Sequence, residues 1–89
     1  MPRYVVQRTF PRGLHVRSDA GAELCREVVE RNSEEGVTWI TSFVSDDKVR
    51  RFCVYDAPSP EAIRKTAGRN QLPVEQIIRV TVLDPYFYA

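Results

Sequence analysis

The segment RFCVYDAPSPE, residues 51–61, sets Cys53 in an apolar run, follows it with Asp56 and ends on two prolines. A thiolate and a carboxylate are the materials of a metal or redox site, and the chain's one histidine, His15 in GLHVR, would add an imidazole. His15, Cys53 and Asp56 are therefore the metal-ligating candidates. On a regular strand Cys53 points with Tyr55 and away from Phe52, Val54 and Asp56, so a Cys53–Asp56 site requires a bend. The competing role for Cys53 is to fill a small space in a covered sheet, since free cysteine is among the most buried residue types. Cys25 reads as core on the same ground. With no CxxC, no HExxH and no histidine pair, one chain writes no closed structural zinc site, although two chains could combine ligands. No Ser-centred or Gly-rich phosphate motif is present either. Asp46-Asp47 reads as a solvated turn, and Lys48, Arg50 and Arg51 as a solvated strand end balancing it. Trp39, Tyr55 and the aromatic end of the chain could line an apolar pocket, which makes Trp39, Cys53, Tyr55 and Tyr86 the ligand-binding candidates. As filled core the same side chains need no ligand.

The elements that would position these residues follow from periodicity. YVVQRTF, residues 4–10, is rich in β-branched and aromatic residues and stops at Pro11, as a strand would, and Pro11-Arg12-Gly13 turns the chain. From Ser18 to Glu35 a plausible cap precedes a helix with Ala22, Cys25 and Val29 on one stripe and Leu24 and Val28 beside it, ending at Gly36. VTWITSFV, residues 37–44, and residues 49–55 form a hairpin around residues 45–48. In it Trp39 and Phe43 face one way and Ile40 and Val44 the other. Ser59 caps a second helix with Pro60 at its first position, Glu61 beside the positive end of the dipole, an inner stripe of Ala62, Ile63, Thr66 and Ala67, and Asn70 as its stop. Residues 73–76 form a short turn. A last strand, residues 77–83, puts Ile78, Val80 and Val82 on one face.

Strand, helix, strand, strand, helix, strand is the ferredoxin-like βαββαβ order, an α+β fold. Right-handed crossovers place both helices on one face of a four-stranded antiparallel sheet and leave the other face bare. Apolar residues fall on both faces of the hairpin, so a second copy is expected to pack on the bare side as a homodimer, with the aromatic tail, residues 84–89, on the partner or over a pocket.

At 89 residues the chain has room for one domain, residues 1–89, and 43% hydrophobic with 28% charged residues is the composition of a globular one. Thirteen basic residues against twelve acidic ones lack the excess that phosphate neutralisation needs, which disfavours nucleic acid as a partner. MPRYVVQRTF has no signal-peptide apolar run and no window is long enough for a membrane span, so a cytoplasmic protein with two free thiols is expected.

RTFPRGLH, GVTWITSFVSDD, FCVYDAPSPEAIRKTAGRN and LPVEQIIRVTVLDP together resemble a family of small bacterial proteins of unknown function, one branch of which is described as nickel-binding with a ferredoxin-like dimer. The resemblance covers nearly the whole chain and is most specific in FCVYDAPSPEAIR. It implies the same fold, a homodimer and nickel as the cofactor. The branch carries histidines where this chain has Thr38, Ala67 and Leu72, which leaves His15, Cys53 and acidic residues as ligands. The expected function is a small dimeric binding protein, not an enzyme, whose ligand is a transition metal or a small molecule. The rival is a cofactor-free dimeric α+β barrel enzyme using Tyr55, His15 or Asp56 as acid–base groups on a small organic compound.

Overall fold

A computed structural model describes residues 1–10 and 18–86, and their side chains except for residues 18–24. Its elements are β1 (Arg3–Thr9), α1 (Ser18–Glu34), β2 (Thr38–Val44), β3 (Arg50–Asp56), α2 (Pro60–Arg69) and β4 (Gln76–Val80). The strands form one sheet in the order β2-β3-β1-β4, with every neighbouring pair antiparallel. That is the ferredoxin-like arrangement, with β1 and β3 central. The turn expected at Pro11-Arg12-Gly13 lies outside the described residues.

One face of the sheet is covered. Tyr4 and Val6 of β1 and Cys53 and Tyr55 of β3 join Ile63 of α2 and, from the connecting segments, Val37 and Ala57 in the core, with Trp39, Ala62, Val74 and Ile77 packed against it. Helix α2 starts as its sequence dictates. Ser59 is extended, its Oγ accepts from the Ala62 N–H at 3.3 Å, Pro60 needs no donor in the first turn, and Asn70 caps the other end. Its buried side is Ile63, Thr66 and Ala67, as the periodicity requires. Gly36 takes φ +72°, the left-handed conformation that ends α1 and lets Val37 N–H reach the Asn32 carbonyl at 2.9 Å.

Three expectations are corrected. The inner stripe of α1 is rotated: Val28 and Asn32 are buried, while Val29 is 49% exposed and Cys25 is exposed as well. A polar asparagine holds an inward position that an apolar pattern does not reveal. Trp39 and Phe43 do not share a face, because the β2–β3 register shifts between Trp39 and Thr41, so that Ile40 is the extra residue of a bulge. Trp39 pairs with Tyr55 on the helix side and Phe43 with Phe52 on the open side. Finally, β4 ends at Val80, short of the expected Leu83, and Val82 and Leu83 are exposed.

The open face carries a mostly apolar row of side chains across all four strands. Thr41, Val54, Val5 and Ile78 are successive register partners, and the Phe43–Phe52 pair lies beside them.

A candidate ligand cavity between sheet and helices

Beneath the helices a cavity of about 130 Å³ is lined by Arg8, Cys25, Val28, Trp39, Arg51, Cys53, Tyr55, Asn70 and Leu72. Strand alternation explains its floor. In β1 the buried positions are Tyr4, Val6 and Arg8, and in β3 the matching positions are Arg51, Cys53 and Tyr55. The bulge at Ile40 turns Trp39 onto the same side. Helix α1 supplies Cys25 and Val28, and the segment leaving α2 supplies Asn70 and Leu72.

The polar groups form two short chains. Trp39 Nε1 donates to Ser42 Oγ at 2.8 Å, and that hydroxyl donates to Cys53 Sγ at 3.1 Å. The indole is thereby fixed against the buried thiol. Arg8, only 2% exposed, donates from Nη1 to the Pro73 carbonyl at 2.6 Å and from Nη2 to Tyr55 Oη at 3.1 Å. Its guanidinium also lies 5.9 Å from the Tyr55 ring centre. Burial pushes the Tyr55 phenol up, against the opposing pull of Arg8, so the hydroxyl keeps its proton at neutral pH. Asn70 accepts from Arg31 and donates to Asn32, each at 3.3 Å, which braces α2 on α1 beside the cavity.

Of the ligand-binding candidates, Trp39, Cys53 and Tyr55 meet in this cavity, whereas Tyr86 is 90% exposed and is not among its lining residues. Phe87, Tyr88 and Ala89 lie outside the described residues, as does His15. Cys53 and Asp56 are not brought together. β3 runs without a bend in its pairing with β1, so Cys53 faces the helices and Asp56 the open side, where its carboxylate takes Arg3 Nε at 2.8 Å. That ion pair holds the Asp56 carboxyl below its ordinary range. Among the described residues no group of three or more His, Cys, Asp or Glu side chains is placed to hold a metal ion. Cys25 and Cys53 are soft donors, but they line a cavity that also presents two guanidinium groups. The described donor set does not fit nickel.

Strand periodicity carries the signal for two further lining residues. Arg8 follows Tyr4 and Val6 at strand spacing, and Arg51 precedes Cys53 and Tyr55 in the same way, so both arginines belong to the inner face. Arg51 is therefore corrected from a solvated strand end to a cavity wall. Asp47 does sit in a solvated turn, where its carboxylate accepts from the Ser45 hydroxyl and from Val49 N–H at 2.9 Å, and these bonds hold its pKa down.

No helix among the described residues is long and apolar enough to cross a membrane. A search of curated proteins found no match to the chain. The crystal structure of SCO4226 from Streptomyces coelicolor A3(2) is similar to it with a TM-score of 0.74 at 16% identity, covering 92% of this chain and 99% of that one, a likeness that shows the fold. The family model described as nickel responsive protein SCO4226-like matches residues 4–80, and the chain belongs to that family.

Proposed function

We propose that this protein is a small dimeric binding protein that takes a small-molecule ligand in the cavity between sheet and helices. The observation that carries this reading is the convergence of Trp39, Cys53 and Tyr55, from two strands, on one cavity roofed by α1. Concave, mostly apolar sites with a few fixed polar groups are where small ligands bind. The family description points to nickel. A dication beside Arg8 and Arg51 would meet repulsion from both, so the cavity favours a small molecule over a metal. Dimerisation uses the open sheet face, where the row from Thr41 to Ile78 and the Phe43–Phe52 pair form an apolar patch that a second copy covers.

Calorimetry on tag-free protein tests the choice of ligand. Nickel, copper and zinc are expected to give no stoichiometric heat, while native mass spectrometry of freshly purified protein is expected to show a dimer carrying a small organic mass. Tight one-to-one nickel binding that is lost in Cys53→Ala would overturn the small-molecule reading.

A further inference from the structure

The two arginines of the cavity present an electrostatic problem that the described residues leave unsolved. Arg8 and Arg51 are direct register partners on neighbouring strands and share the helix-covered face. Like charges directly opposite one another destabilise a sheet, and a buried cation is costly unless it is paired. Among the described residues neither has an acidic partner. The ion pairs among the described residues belong to Arg3, Lys65 and Arg69, and Arg8 bonds only the neutral Pro73 carbonyl and Tyr55 hydroxyl. The Nε–H groups of both Arg8 and Arg51 are buried without a hydrogen-bond partner among the described residues. Arg51 is held in place by its cation–π contact, 5.4 Å from the Phe10 ring centre. Two adjacent positive groups that both line one cavity are the materials of an anion receptor.

We infer that the cavity recognises the carboxylate of a small organic acid, held between Arg8 and Arg51 with its carbon body against Trp39, Val28 and Leu72. This rests on the cavity being the ligand site. The size sets a bound: a cavity of about 150 Å³ accepts benzene, so this one, at about 130 Å³, holds a carbon body no larger than a single ring. A planar acid of about that size would place its carboxylate on the arginines and its ring beside the indole. One anion would also remove the repulsion between the two guanidiniums.

Trp39 is the chain's one tryptophan, so its emission reports on the cavity directly. Sodium benzoate, neutral benzyl alcohol and sodium sulfate are titrated at constant ionic strength against wild-type protein, Arg51→Gln and Arg8→Gln, with circular dichroism to check that each variant is folded. Benzoate is expected to change the emission saturably and to bind at least tenfold more tightly than benzyl alcohol. Arg51→Gln is expected to weaken it by about tenfold or more, the worth of one charge-assisted hydrogen bond. Arg51 is half-buried at the cavity wall, so this variant decides the matter even if Arg8→Gln, at a fully buried position, does not fold. Equal affinity for benzyl alcohol and benzoate, or unchanged benzoate binding in Arg51→Gln, would overturn the anion assignment and leave the cavity standing as a ligand site. Sulfate binding as tight as benzoate would overturn the organic acid as the occupant. No saturable response to any of the three would overturn both the inference and the reading of the cavity on which it rests.

Discussion

Phe43→Glu is the sharpest test of the proposed dimer. Phe43 is 63% exposed and pairs with Phe52 on the open face of the sheet. A phenylalanine side chain buries about 150–250 Å² when fully covered, so the 63% left uncovered is roughly 95–160 Å². At about 25 cal/mol per Å² this is worth about 2.4–4 kcal/mol in each copy, or about 5–8 kcal/mol in a two-fold dimer. Association does not return all of that, because ordering and imperfect desolvation oppose it. Even one third of it, with no added penalty for the buried carboxylate, raises the dimer dissociation constant by about 15- to 80-fold. The folded monomer should lose only about 1 kcal/mol or less, mainly the cross-strand contact with Phe52. Sedimentation equilibrium over a range of concentrations separates these effects, with urea unfolding of the monomeric variant as the control. A wild-type protein that sediments as one chain at all concentrations would refute the reasoning, as would a Phe43→Glu protein that associates as tightly as wild type.

Asp56→Asn tests the Arg3 ion pair through pH. The folded Asp56 carboxyl titrates below its ordinary value of 3.8, chiefly because Arg3 hydrogen-bonds it, so its contribution is complete above that value and disappears as pH falls through the lower folded value. The variant should therefore show a shallower loss of stability on acidification below about pH 4, and an acid unfolding curve identical to wild type would exclude the effect. Ser59→Ala removes the oxygen that accepts from Ala62 N–H and should cost about 1 kcal/mol in urea unfolding. Iodoacetamide should label Cys25 in the folded protein and Cys53 only after unfolding, since the first is exposed and the second buried; equal labelling rates would contradict the placement of Cys53.

The β-hairpin shows where reading the chain succeeds and where it stops. Its strands were legible from β-branched and aromatic runs, yet the facing of its aromatics was not, because one bulge at Ile40 reverses the alternation and a bulge leaves no mark in the residue types here. The helix α2 was legible almost to the residue, because Ser59, Pro60 and Glu61 are local devices whose physics needs no tertiary partner. Helix α1 was legible as a helix but not in its rotation, since an asparagine occupies an inward position and is held there by Asn70 from another helix.

The candidate site divides along the same line. Trp39, Cys53 and Tyr55 could be singled out by type, and the separation of Cys53 from Asp56 follows from strand alternation alone. Alternation also puts Arg8 and Arg51 on the inner face, but their facing each other depends on the register between β1 and β3, two strands joined through a helix and a third strand. By itself the sequence determined the order of the elements, the helix start at Ser59, and hence the ferredoxin-like sheet, because propensity, capping and period act over a few residues. Only the tertiary structure decided which residues share a cavity. Register and helix rotation are set by packing between segments far apart in the chain, and that packing places two arginines opposite one another beneath a helix.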